Sequence, residues 1–189
     1  MSHSVEKLPL RDALVIQLPK FQDDRGFFAE AFRAEVGEKL QLPPFLQDNL
    51  SYSHRNVLRG LHFQRPPHAQ AKLVCVLRGH IQDVIVDLRP TSPTYKHWYG
   101  IELRADREKL TWLYVPVGFA HGFIVLSDEA LVWYRCSAYY SKEADGGVRW
   151  NDPDLGIAWQ TPTGAAPTVS AKDAALPLLR DLENPFAGL

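Results

Sequence analysis

Arg59-Gly-Leu-His62-Phe-Gln64, followed by Lys72, puts an imidazole and two permanent cations into an otherwise apolar, strand-like stretch. Polar groups in such surroundings cost several kcal/mol unless they are satisfied, so their clustering asks for a chemical reason. Near neutral pH histidine is the side chain best suited to taking a proton and giving it back. Lysine and arginine suit anionic ligands and developing oxyanions. Alone, His62 reads as a satisfied core histidine. Its company reverses that reading, because Arg59, Lys72, Asp83 and His121 punctuate several apolar segments. His121 follows Pro116-Val-Gly118-Phe-Ala, a tight turn that delivers it to a strand start, where a capping or core hydrogen bond is its plainer role. Tyr134 is a phenol inside an apolar run, able to act as a proton donor. Phe27, Phe28, Tyr139 and Tyr140 read most simply as core and edge filling. Tyr139-Tyr140 is followed by Ser141-Lys142, so one ring is open for stacking on a nucleobase. Arg25, after Asp23-Asp24, is either a phosphate contact or a solvated turn residue.

Short apolar segments rich in β-branched and aromatic residues must position these groups. The spacing predicts strands at 13–18, 27–32, 49–54, 57–63, 71–77, 81–88, 98–103, 110–115, 121–125 and 131–137. A helix is expected at 33–40 before Pro43-Pro44, a helical turn near 178–183, and a loop over 161–167. So many short strands between Gly, Pro, Asn and Asp point to an all-β sandwich or barrel with a few short helices. Side chains alternate faces along a strand. Lys72 therefore shares a face with Val74 and Val76, Asp83 with Ile81, Ile85 and Asp87, and Tyr134 with Val132 and Cys136. Arg59 and His62 have opposite parity. For both to line one pocket, the chain must bend or bulge at Gly60.

The 189 residues suit one domain, 1–189, large enough for a core without metal or disulfide staples. With 46% apolar residues and a formal charge of −1, the chain lacks the basic excess of a nucleic-acid or membrane-surface binder. Cys75 and Cys136 sit in apolar runs and read as buried, reduced thiols. No signal segment or membrane span is evident, which makes the cytoplasm the expected location.

Metal binding is the sharpest rival. Cupin barrels often hold a divalent cation through two closely spaced histidines, a carboxylate and a third histidine. Pro116–His121 matches the second cupin motif, but Gln64 stands where the first motif has its second histidine. Gln70 and Lys72 occupy the expected carboxylate region. A protonated lysine is repelled by a cation and ligates it poorly, so no metal is expected.

Together these residues resemble the dTDP-4-dehydrorhamnose 3,5-epimerase family, metal-free cupins of nucleotide-sugar metabolism. The landmarks are Asp24-Arg-Gly-Phe-Phe28, Gln47-Asp-Asn49, Leu58-Arg-Gly-Leu-His-Phe-Gln64, Gln82-Asp-Val84, Val86-Asp-Leu-Arg89, Pro116-Val-Gly-Phe-Ala-His-Gly-Phe123, Tyr139-Tyr140 and Trp150-Asn-Asp-Pro153. The resemblance implies a double-stranded β-helix jelly roll with His62 as base, paired with Asp173, and Tyr134 as proton donor on the sugar's opposite face. Lys72 would stabilise the enolate oxygen. Arg25, Phe28, Glu30, Gln47, Asp48, Asn49, Arg59, His121, Tyr140, Asp145 and Lys172 would hold a dTDP-4-keto-6-deoxyhexose. Similar enzymes are homodimers whose N-terminal segment crosses to the neighbour, which lets Arg25 and Glu30 act in the partner's site. Lys142 and Asp145 stand where the family usually has proline and glutamate.

The chemistry follows without the resemblance. A C–H beside a ketone is far too weak an acid for imidazole, and each unit of pK mismatch costs about 1.4 kcal/mol. A cation at the developing oxyanion closes such a gap. Inversion then needs a donor on the other face, and a carboxylate on the histidine's far nitrogen fixes its tautomer. No redox cofactor and no metal enter this scheme. A single-centre epimerase, a non-catalytic sugar-nucleotide barrel and a metal-dependent cupin remain the alternatives.

Overall fold

A computed structural model describes residues 3–162 and 164–188. Among them, strands run β1 Ser4–Lys7, β2 Leu14–Asp23, β3 Gly26–Ala29, β4 Gln47–His54, β5 Leu58–Gln64, β6 Lys72–Arg78, β7 His80–Asp87, β8 Trp98–Arg104, β9 Lys109–Val115, β10 Phe119–Val125, β11 Glu129–Cys136 and β12 Asp145–Gly147. Two short helices join them, α1 Ala34–Lys39 and α2 Ala171–Ala174, with a 3-10 turn at Leu179–Asp181. One sheet has the order β1-β2-β9-β6-β11-β4, with β3 also pairing β2. The other runs β12-β5-β10-β7-β8. Neighbours are antiparallel throughout, and the two sheets form a cupin-like jelly roll.

Three apolar layers result from the alternation. Between the sheets lie Val74, Val76, Ile81, Ile85, Leu113, Phe123 and Val132, packed with little water access. The outer face of the five-stranded sheet carries Leu61, Phe63, Val84 and Val86, covered by the C-terminal segment through Leu155, Leu179 and Phe186. The outer face of the larger sheet carries Leu73, Cys75 and Trp112, covered by Phe32, Val36, Leu40 and Phe45 around α1. Strands buried on both faces explain the continuous apolar runs, notably in β7, where every residue after His80 is buried. No helix among the described residues is long and apolar enough to cross a membrane.

Elements anticipated from the sequence appear within a few residues of their expected bounds, except in the N-terminal hairpin. There β2 continues to Asp23 and β3 ends at Ala29, short of the expected residue 32. Within 161–167, Thr163 lies outside the described residues, and its neighbours form turns and bends. A bend is present at Gly60. Gly60 has φ of 125°, and the β5–β10 register shifts between His121 and Phe123. A Cβ at Gly60 would stand 2.6 Å from Gly122 Cα and 2.8 Å from the His121 carbonyl oxygen. Glycine at this position permits both the unusual φ and the close approach of β10.

Candidate active site

Side chains from the two sheets converge on one cavity of about 310 Å³. The five-stranded sheet supplies His62 from β5 and Asp145 from β12. The larger sheet supplies Lys72 from β6, Tyr134 from β11 and Asn49 from β4. For Lys72 and Tyr134 the inward parity is the one read from the sequence. Tyr134 lies opposite Val74 and Asn49, and Cys136 opposite Lys72.

His62 is held from behind. Its Nε2 lies 2.7 Å from Asp173 Oδ1, although the two residues are 111 positions apart. Asp173 sits in α2, which Ser170 caps by accepting from the Asp173 N–H at 3.0 Å. The Gly60 N–H donates to Asp173 Oδ2 at 3.2 Å, so the glycine that bends β5 also anchors the carboxylate. Burial pushes the Asp173 carboxyl up, and the bonds from His62, Gly60 and Ser170 more than offset it, holding it below the usual range. The aspartate thus stays ionised and keeps a proton on Nε2. Nδ1 is left without a partner among the described residues, ready to accept one.

Lys72 is the opposite case. Among the described residues its ammonium has no hydrogen bond or ion pair. Burial pushes its pKa down, and the charges of Asp145 and Asp83 offset this only in part. Such a cation gains most from an anionic oxygen placed beside it. Tyr134 has its hydroxyl 3.0 Å from Ser51 Oγ and its ring near His121, with centroids 6.2 Å apart. Burial raises its pKa, which keeps the phenol protonated and able to donate.

At the cavity mouth Asp145 accepts from Tyr140 Oη at 3.1 Å and pairs closely with Lys172. Gln47 Oε1 accepts from the Tyr140 N–H at 2.8 Å. Lys172 precedes Asp173 in α2, so a single helical turn carries a mouth cation and the partner of the base. Other expected contacts lie elsewhere. Asp48 faces outward and pairs with Arg135 at 3.0 Å. Arg59 bonds Ser53 Oγ at 2.9 Å, outside the cavity lining. His121 is buried against Asp83, with Nε2 2.9 Å from both carboxylate oxygens. Arg25 is exposed and paired with Asp23, Phe28 is 69% exposed, and Glu30 pairs with Arg33. These three belong to the β2–β3 hairpin and its continuation, away from this chain's own cavity.

Sequence reasoning passed over Ser51, Gln70 and Cys136, all of which line the cavity. Ser51 was detectable by its parity with Gln47 and Asn49. Gln64 braces the loop after β11, donating to the His68 and Tyr139 carbonyl oxygens and accepting from the Ser141 N–H. The donor set does not suit a divalent cation. His62 is the one imidazole lining the cavity among the described residues, His121 lies outside that lining, and Lys72 contributes positive charge. No cluster of three metal-ligating side chains occurs among the described residues.

A model of the dTDP-4-dehydrorhamnose 3,5-epimerase family matches residues 7–181. The chain belongs to that family. The dTDP-4-dehydrorhamnose 3,5-epimerase of Salmonella typhimurium is 45% identical over 177 residues, covering 93% of this chain and 94% of that one. The crystal structure of the Elizabethkingia anophelis epimerase is similar at a TM-score of 0.89 and 44% identity, over 97% of this chain and 100% of the other. The Legionella pneumophila epimerase, solved in complex with dTDP-4-keto-L-rhamnose, has a TM-score of 0.90 and 38% identity, covering 98% and 97% of the two chains. This chain is an epimerase by family, and its fold is the family's.

Proposed function

We propose that this chain inverts C3 and C5 of dTDP-4-dehydro-6-deoxy-D-glucose, giving dTDP-4-dehydro-L-rhamnose for rhamnose or related deoxysugar synthesis. The observation that carries the reading is the shared cavity of His62, Tyr134 and the unpartnered Lys72. His62 and Tyr134 come from opposite sheets, so a hexose ring between them presents one face to each. His62 Nδ1 removes the proton beside the C4 ketone, and the ketone oxygen becomes an enolate next to the Lys72 ammonium. Tyr134 then delivers its hydroxyl proton to the carbon's other face, and inversion results. Asp173 stabilises the imidazolium formed in the first step. The Tyr140–Asp145–Lys172 group, with Gln47 and Asn49, receives the nucleotide end at the mouth.

The same reading makes the enzyme a homodimer. Arg25, Phe28 and Glu30 lie on the hairpin and its continuation without reaching their own cavity, as residues serving a neighbouring copy would. Two free, buried thiols suit the reducing cytoplasm. Incubation with the keto sugar in deuterium oxide, followed by NMR, tests the reaction. Deuterium at both C3 and C5 of an inverted product is expected. Label at one carbon would make it a single-centre epimerase, and tight binding without label a non-catalytic barrel.

A further inference from the structure

Among the described cavity residues to which the inversion mechanism gives no role, Ser51 is the one hydrogen-bonded to Tyr134. Ser51 is an inward-facing residue of β4, two positions beyond Asn49, which lies opposite Tyr134 across the β4–β11 ladder. Its Oγ lies 3.0 Å from Tyr134 Oη, and this is its one side-chain hydrogen bond among the described residues. Tyr134 has no other hydroxyl partner there. Resting on the epimerase reading above, we infer that Ser51 is the positioning residue that commits the enolate to inversion rather than to return.

The physical argument starts with what Tyr134 becomes. When its O–H bond breaks and the new C–H bond forms, a phenolate remains in a site withdrawn from water. Burial makes that anion costly, and the Ser51 hydroxyl opposes the cost by turning its own O–H toward it. The hydroxyl either accepts from the phenol or donates to the phenolate, so one residue serves both states. Before transfer the bond fixes where the phenol proton points. Without Ser51 the enolate still forms, because His62 and Lys72 are untouched. The His62 imidazolium then returns a proton to the face it came from. Between turnovers solvent restores the phenol proton and removes the imidazolium proton, so nothing is oxidised or reduced.

This partition is measurable in deuterium oxide as the ratio of label in recovered, uninverted substrate to label in inverted product. Ser51→Ala should raise that ratio by about tenfold or more, the scale of one hydrogen bond to a charged group. Ser51→Thr, which keeps the hydroxyl, should restore it towards the wild-type value. A general loosening of the fold would slow exchange and inversion together and leave the ratio unmoved, and that outcome overturns the inference. An unchanged ratio in Ser51→Ala at full activity overturns it as well. A wild-type enzyme that neither exchanges nor inverts would instead overturn the epimerase reading itself.

Discussion

The two halves of β7 bury an aspartate each and treat it in opposite ways. Asp87 accepts from the Arg89 N–H and guanidinium and from the Ser92 and Thr94 hydroxyls, which use both of its oxygens. Arg89 in turn reaches Asp12 and the Arg11 carbonyl oxygen. That end of the strand is a closed electrostatic knot. At the other end Asp83 has His121 as its partner, and the neighbouring Lys72 cation has none. Burial pushes Asp83 up, whereas at Asp87 the effect of burial is outweighed by Arg89 and the two hydroxyls, which hold the carboxyl down. The lesson is that saturated buried charge holds the fold, while buried charge left short of partners is kept for a ligand.

The largest effect expected is at the base. His62→Asn should abolish turnover while calorimetry finds dTDP affinity little changed, because the imidazole does chemistry and the mouth holds the nucleotide. Arg89→Met should strike stability instead, costing about 3–5 kcal/mol in urea unfolding by leaving Asp87 buried and unpaired. Its folded fraction should keep its turnover. Lys72→Met should do the reverse, lowering kcat by about 100- to 1,000-fold while raising Tm, since it removes a buried, unpaired cation. A Lys72→Met enzyme with a near-normal rate would break the comparison. The smallest effect is in acid. Asp87, held below its ordinary 3.8, contributes stability that is complete above that value and is lost as pH falls through its depressed folded value. Asp87→Asn should flatten the dependence of unfolding free energy on pH in that window.

Much of this arrangement was legible in the chain. Alternation placed Lys72, Asp83 and Tyr134 on inward faces. A pocket shared by Arg59 and His62 was the reason to expect a bend at Gly60; the bend is there, but Arg59 turns to Ser53 outside the cavity. Other features were invisible to local pattern. β1 is exposed along its whole length and exists as a strand through its pairing with β2. β12 is Asp-Gly-Gly, a poor strand former, yet it fits because β5 passes close enough that a Cβ at Gly147 would lie 2.2 Å from the Leu61 carbonyl oxygen. α2 is too short for periodicity to reveal. The His62–Asp173 contact joins distant segments, and the family resemblance, not spacing, pointed to it. Asp48 shows the converse limit: its neighbours Gln47 and Asn49 face inward, and alternation turns it outward to Arg135.

A crystal structure of the His62→Asn enzyme with the intact keto sugar tests the central claim most directly. The sugar's C4 oxygen should lie about 2.7–3.1 Å from Lys72 Nζ. Position 62 and Tyr134 should then stand on opposite faces of the ring. A carbonyl turned away from Lys72, or both side chains on one face, would contradict the account.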